Sequence, residues 1–194
     1  MLNYMYLLIQ LPFIELNSEP KINSKYFEEQ CRTWLTESEL AVLFQESNSE
    51  TNTDSDINSK LWIAKQWKEK DEMLRSIIAV CRLQRANQEE GIENYRRDIT
   101  SSYAFNTISD LVKMNDPLTI EYGIAKIRWE ILDELALMDS EYSFTTVYTY
   151  YEKLKIASRF SKLNQQLGEK TVKDIINISK EKSSKILEIK ENEK

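Results

Sequence analysis

The 194 residues of this chain include no histidine, so the side chains that could do chemistry are its carboxylates, lysines, arginines, tyrosines, hydroxyls and two cysteines. Histidine is the side chain most used for proton transfer near neutral pH and is a common metal ligand. Ser-His and Cys-His nucleophiles are therefore excluded. The three glycines are isolated, so the chain has neither a phosphate-binding loop nor a dinucleotide fingerprint. The sequence predicts no catalytic residues, no metal site and no cofactor.

The carboxylates and cysteines give no positive sign of an enzyme. Neighbouring carboxylates such as Asp133 and Glu134 do not face each other on a helix. A glycosidase-like or carboxylate-metal enzyme stays open, although no spacing favours it. Cys31 and Cys81 fit no metal or redox spacing, and Cys81 lies on an apolar helical stripe, which predicts a buried thiol.

Arg128 and Glu121 lie between two apolar stripes of a helix that is predicted to begin after Asp116. The stripes are formed by Ile120, Ile124, Ile127, Ile131, Leu135 and Met138, and by Ala125, Trp129, Leu132 and Ala136. A helix that is apolar over half its circumference packs between neighbours. Since an unpaired charge there is costly, we predict a mostly buried ion pair of Arg128 with Glu121 or with a carboxylate of another helix.

A basic stripe is predicted on the helix at 61–86. Arg75 and Arg82 flank its apolar face, and Arg85 falls on that face. Two interpretations remain open. The arginines either form a solvated edge whose long side chains cover apolar surface, or are partly buried and held by carboxylates elsewhere.

A tyrosine cluster follows near the end of the chain, at Tyr148, Tyr150 and Tyr151. Tyrosine combines apolar area with a hydroxyl, so the cluster is a candidate interface with a partner protein. Packing inside the core is the favoured alternative.

The elements around these residues are predicted to be helical. The chain is 41% hydrophobic and 30% charged, with three glycines and three prolines, a composition typical of an all-α protein. We predict a compact multi-helix bundle with long C-terminal helices, formed by a single domain at 1–176. A mobile acidic loop at 45–59 interrupts it, and a charged helical tail at 177–194 follows it.

Signals at helix ends support this assignment. A helix at 24–35 precedes a capping box at Thr36 and Glu39. Asp116 and Pro117 begin the first of two long C-terminal helices, and Gly168 is expected to end the second. The apolar run at 2–14 fits either a strand or a helical turn.

Charge and hydropathy predict where the protein works. The net charge of −6 argues against a nucleic-acid platform, because phosphate binding depends on concentrated lysine and arginine. The run at 2–14 lacks a basic region and a cleavage site and is too short to span a bilayer. We therefore expect a cytoplasmic protein with no membrane span of its own.

Several segments together carry a resemblance to a known family. They are Tyr4, Tyr6, Leu7, Leu11 and Pro12 in a tyrosine-rich opening, an acidic loop, a basic helix with Leu74, Arg75, Arg82 and Arg85, and a paired-helix ending at 127–135 and 148–160. In these features the chain resembles a small family encoded within bacterial V/A-type ATPase operons. It also looks like a shortened relative of the all-helical V-type ATPase component that caps the membrane rotor ring and receives the central stalk. We call that component the rotor cap, and the likeness to it is greatest at 151–159.

The resemblance implies a non-catalytic subunit of a proton- or sodium-translocating ATPase or ATP synthase. Its partners would be the central stalk and the membrane rotor ring, and it would lie on the cytoplasmic side of the inner membrane through that complex. A regulatory or assembly adaptor that binds the ATPase transiently is the alternative. A helical nucleic-acid binder is a third possibility, disfavoured by the net charge.

Overall fold

The computed structural model describes residues 2–44, 55–86, 103–114, 116–162 and 176. Within these ranges the chain forms seven α-helices and no strand, which confirms the all-α prediction for this part of the protein. The helices are α1 Leu2–Gln10, α2 Ser24–Trp34, α3 Glu37–Phe44, α4 Ser55–Arg85, α5 Tyr103–Lys113, α6 Pro117–Ala136 and α7 Phe144–Phe160. The expected tail at 177–194 and most of the expected acidic loop lie outside the described residues.

The helix starts follow the capping signals of the sequence. Asp116 accepts hydrogen bonds from the backbone N–H of Leu118 and Thr119, with Pro117 in the first turn of α6. The backbone N–H of Thr36 donates to Glu39 Oε2 at 2.8 Å, and the Glu39 N–H donates to Thr36 Oγ1 at 3.4 Å. This reciprocal pair is the predicted capping box of α3.

Two predicted boundaries are wrong. The sequence predicts an acidic loop that continues to Ser59, but α4 already begins at Ser55, and serine and aspartate at 55 and 56 are residue types that favour the start of a helix. The sequence also predicts a last long helix that reaches Gly168, but α7 ends at Phe160. There the chain tightens into a final turn, in which the Lys162 N–H donates to the Arg159 carbonyl three residues back.

The segment at 2–14, which the sequence leaves open between strand and helix, begins with the helix α1. The first core contains buried residues of α1, α2, α3, the first half of α4, the second half of α6, and α7, together with two residues that follow α1 and α2. Its members are Leu7, Ile14, Phe27, Cys31, Leu35, Val42, Leu43, Ile63, Trp67, Leu132, Leu135, Phe144, Val147, Tyr148, Leu154 and Ala157. Phe27 stacks on Tyr151 with ring centroids 5.3 Å apart, so aromatic contacts join α2 to α7.

A second, smaller core joins the other halves of α4 and α6 to α5. Its buried members are Leu74, Ile77, Ile78, Cys81, Ile108, Val112 and Ile124. The 31-residue α4, about 46 Å long at 1.5 Å per residue, therefore supplies side chains to both cores, and so does α6. The predicted apolar stripe of α4 is confirmed, as is the packing of α6 between neighbouring helices.

Candidate functional site

A cluster of charged side chains lies where the two cores meet. On α4, Asp71 lies between Trp67 of the first core and Leu74 of the second. On α6, Arg128 lies between Ile124 and Leu132 in the same way. The Arg128 Nε donates to Asp71 Oδ1 at 2.7 Å, and the two side chains are 19% and 11% exposed. A mostly buried ion pair thus joins the two helices that both cores share.

The partner of Arg128 is a carboxylate of another helix, and the pairing with Glu121 is wrong. Glu121 instead accepts a hydrogen bond from Arg159 at 3.0 Å and forms an ion pair with Arg82 at 3.5 Å, at a site that is partly open to water. The reason is geometric. Residues seven apart on a helix are separated by about 10.5 Å along its axis, whereas α4 brings Asp71 directly against Arg128.

Glu152 on α7 adds a second buried carboxylate to this cluster. Its carboxylate contacts Lys155 Nζ at 2.5 Å and accepts a hydrogen bond from Trp67. Burial, reinforced by the nearby negative charge of Asp71, raises the pKa of Glu152 above its ordinary value, although Lys155 and Trp67 oppose that shift. We define the central charge cluster as Asp71, Arg75, Arg128, Glu152 and Lys155.

The raised pKa of Glu152 gives a pH-dependent prediction. The folded state binds this proton more tightly than the unfolded state, so ionisation of Glu152 lowers stability as the pH rises from the ordinary value of 4.5 through the folded pKa. Glu152→Gln should remove this loss, so its stability relative to wild type should improve between pH 4.5 and pH 8 in urea unfolding. The exposed Glu130→Gln is the matched control, and parallel pH profiles of the two variants would contradict the prediction.

The predicted basic stripe does not act as one surface. Arg75 pairs with Asp71 at 2.6 Å, four residues back on the same helix. Arg82 reaches Glu121 of α6. Arg85 donates to the backbone carbonyls of Val112 at 2.5 Å and Met114 at 3.1 Å, which caps the C-terminal end of α5. The three guanidinium groups therefore have three different structural roles, although Arg75 and Arg82 remain largely exposed as the solvated-edge interpretation expects.

The tyrosine cluster packs between helices, which is the alternative that the sequence favours, although Tyr150 and Tyr151 are only partly buried. Tyr148 is fully buried in the first core. Tyr150 donates its hydroxyl to the Pro12 carbonyl at 2.7 Å, and burial raises its pKa. Tyr151 stacks on Phe27 and meets Phe44 edge to face at 5.2 Å. α7 is covered on this side by α1, α2 and α3, so the tyrosines are used for packing between helices.

Glu39 forms a third buried ionic site. The predicted capping box accounts only for its contacts with Thr36. Besides Thr36, the carboxylate accepts from the hydroxyl of Tyr4 on α1 and contacts Lys60 Nζ on α4 at 2.7 Å. Burial acts to raise the pKa of Glu39, but the hydrogen bonds from Lys60, Tyr4 and Thr36 outweigh it and hold the pKa below its ordinary value. Glu39 is therefore a charged carboxylate that ties three helices together.

The cysteines are buried and separate. Cys31 belongs to the first core and Cys81 to the second. Burial raises the pKa of the Cys31 thiol to about 12, with a further contribution from Glu28. Burial also raises the pKa of Cys81. Both behave as small core hydrophobes, as predicted for Cys81. Among the described residues, no group of three or more cysteines and carboxylates is placed to hold a metal ion.

A groove runs along α4 and is bordered by α3, α6 and α7, with a volume of about 1400 Å³. At one end Leu61 and Trp62 are 42% and 39% exposed. Beyond them the lining contains six cations, Lys65, Lys68, Arg75, Arg128, Lys155 and Arg159, and three carboxylates, Asp71, Glu72 and Glu152. The groove therefore concentrates positive charge in a chain whose net charge is −6.

Comparison with known proteins relates part of the chain to a family. The model of a family described as "Protein of unknown function (DUF2764)" matches residues 105–183. This region contains most of α5 and all of α6 and α7, with Arg128, Glu152 and the tyrosine cluster. No curated protein and no solved structure matches the chain.

Of the helices in the described ranges, none combines the length and the apolar composition that crossing a bilayer requires.

Proposed function

We propose that the chain is a non-catalytic subunit of a V/A-type proton- or sodium-translocating ATPase or ATP synthase. In this proposal it links the central stalk to the membrane rotor ring and lies on the cytoplasmic side of the inner membrane through that complex. Its fold would be a shortened form of the rotor-cap fold. The resemblance of the N-terminal, basic-helix and paired-helix segments to a family encoded in such operons is what supports the assignment.

The structural observation that favours a mechanical role is the continuity of α4 and α6 through both cores. A body that transmits torque between two partners must resist shear between its ends. Here two helices span both apolar clusters, and the Asp71–Arg128 ion pair joins them where the clusters meet. Close-packed interiors are stiff and transmit strain, so this arrangement couples the two halves of the protein mechanically.

The buried carboxylates fit a structural role better than a catalytic one. Each of the three among the described residues is held by a cation of the same chain: Asp71 by Arg128, Glu152 by Lys155 and Glu39 by Lys60. The Asp71–Arg128 and Glu39–Lys60 pairs each join two helices, whereas Glu152 and Lys155 lie one turn apart on α7. In the proposal the protein accordingly has no active site of its own and contributes contacts to an ATP-driven machine.

Quantitative co-purification tests the proposal. The chain would carry an affinity tag in its native host, and the amounts of co-purifying ATPase subunits would be measured by mass spectrometry before and after a high-salt wash. We expect a fixed ratio to the central-stalk proteins that survives the wash, together with a position on the rotor axis in images of the intact complex. Substoichiometric recovery that is lost on washing would favour the transient adaptor, and recovery without any ATPase protein would overturn the assignment.

A further inference from the structure

We infer that the groove along α4 is a docking site for an acidic amphipathic helix of a partner protein. This goes beyond the proposed function, because it depends on the charge and shape of the groove and holds whichever complex contains the chain. The inference assigns a binding surface and the chemistry of the segment that fits it.

Charge complementarity supports an acidic ligand. The groove lining has twice as many cations as carboxylates. Several of these cations keep donors available: the Arg75 and Arg159 side chains are 70% and 61% exposed, and in each one terminal nitrogen contacts a carboxylate of the chain. A guanidinium has five N–H donors, so each can also bind a carboxylate of a ligand. Lys65 and Lys68 are exposed on the same wall.

The apolar end of the groove requires an apolar face on the same ligand. Leu61 and Trp62 are adjacent on α4 and both are substantially exposed, which places apolar surface next to the cationic wall. The lining contains both tryptophan and arginine, residue types that are enriched at the centres of protein interfaces. The ligand must therefore present an apolar anchor as well as carboxylates.

The length of the groove sets the size of the ligand. From Leu61 to Arg75 the wall formed by α4 extends about 21 Å at 1.5 Å per residue. A helix of about 14 residues has this length. Such a helix would pack an apolar face on Leu61 and Trp62 and place carboxylates on its flank beside the cations of the groove.

Other occupants fit the groove less well. The segment at 45–54 is acidic but contains no large apolar residue to contact Trp62. The tail at 177–194 has five lysines against four glutamates, so it is not acidic. Nucleic acid would place phosphates against Asp71, Glu72 and Glu152 of the lining. A carboxylate-bearing helix can instead place its charges selectively beside the cations.

A peptide-binding measurement tests the inference. The probe is a fluorescein-labelled helix of about 14 residues with leucines on one face and glutamates on its flanks, and binding is followed by fluorescence anisotropy with the full chain. Two control peptides have the same composition in scrambled order, or lysine in place of glutamate. We expect only the acidic amphipathic peptide to bind, with an affinity that falls as salt is raised from about 50 to about 500 mM, the range in which screening becomes strong.

Matched protein variants locate the site. Lys65→Glu with Lys68→Glu should weaken binding at least about tenfold, since it reverses two charges of the groove wall. Lys25→Glu with Lys126→Glu makes the same change in net charge at exposed positions outside the groove lining and should alter the affinity less than about twofold. Trp62→Ala should weaken binding about tenfold as well, whereas Phe13→Ala, at another exposed aromatic, should leave it unchanged.

Several results would overturn the inference. They are absence of binding by the acidic peptide, equal binding of the scrambled peptide, or equal effects of the groove and control variants. Competition by a single-stranded oligonucleotide that exceeds the acidic peptide in affinity would make the ligand a nucleic acid. Self-association that Lys65→Glu with Lys68→Glu abolishes, measured by analytical ultracentrifugation, would make the occupant a second copy. None of these results bears on the ATPase assignment, which co-purification tests separately.

Discussion

Arg128→Ala is expected to destabilise the protein by about 3 to 5 kcal/mol, the usual cost of removing one partner of a buried ion pair. Asp71 would then keep only Arg75, whose side chain is 70% exposed, while its own carboxylate stays between the two cores. Lys126→Ala, at an exposed position of the same helix, should change stability by less than about 0.5 kcal/mol. Urea unfolding followed by far-ultraviolet circular dichroism measures both.

A double-mutant cycle separates the ion pair from other effects of truncation. Arg128→Met combined with Asp71→Leu removes both charges and keeps apolar volume, so it should cost much less than the sum of the two single changes. If Arg128→Ala and Lys126→Ala cost the same, or if the double variant costs the full sum, the pair does not hold α4 and α6 together. The proposed mechanical role would then lose its main structural support.

The position of Arg128 is predictable from the sequence because the apolar residues of α6 are regularly spaced. A charge between two apolar stripes of one helix must approach the core wherever that helix packs. The identity of the partner depends on how α4 and α6 are aligned, which is set by contacts remote in sequence. Asp71 could nevertheless have been found by the same reasoning, since it stands four residues after Trp67 and three before Leu74 on the apolar face of α4.

Interactions local in sequence are the most predictable. The capping box at Thr36 and the cap at Asp116 depend on residues three positions apart, and both are present. The uses of Tyr150 and Arg85 are not predictable in this way. Tyr150 binds the Pro12 carbonyl 138 residues away, and Arg85 binds carbonyls at the end of α5. A helical wheel shows which side chains approach a neighbour but not which backbone group that neighbour offers.

The groove along α4 is hidden in the sequence for a related reason. Its lysines and arginines come from two segments, at 65–75 and at 128–159, which look in sequence like solvated helix edges. Only the packing of α6 and α7 against α4 brings them to one surface. The net charge of −6 predicts that an average surface patch is negatively charged. Composition alone therefore does not predict this local concentration of cations.

Glu39→Ala is the second change with a large expected effect, again about 3 to 5 kcal/mol. Glu39 is 3% exposed, and its carboxylate contacts Tyr4 of α1, Thr36 just before α3, and Lys60 of α4. Its removal leaves the mostly buried Lys60 without this partner and removes one half of the α3 capping box. Glu37→Ala is the matched control, because Glu37 lies in the same helical turn but is exposed, and it should cost no more than about 1 kcal/mol.

The pH dependence of stability distinguishes this charged site from a neutral packing contact. Because the folded pKa of Glu39 is lowered, the unfolded state binds its proton more tightly. The ionised form therefore stabilises the fold above the ordinary value of 4.5, and that contribution is lost as the pH falls through the folded pKa. Glu39→Gln keeps the size of the side chain but removes the titration, so the wild type should lose stability more steeply than this variant between about pH 5 and pH 3.

Equal slopes would mean that the carboxylate titrates alike in the folded and unfolded chain. Glu39 would then be held by its shape and capping geometry, and the contacts with Tyr4 and Lys60 would add no charge-dependent stability to the junction of α1, α3 and α4.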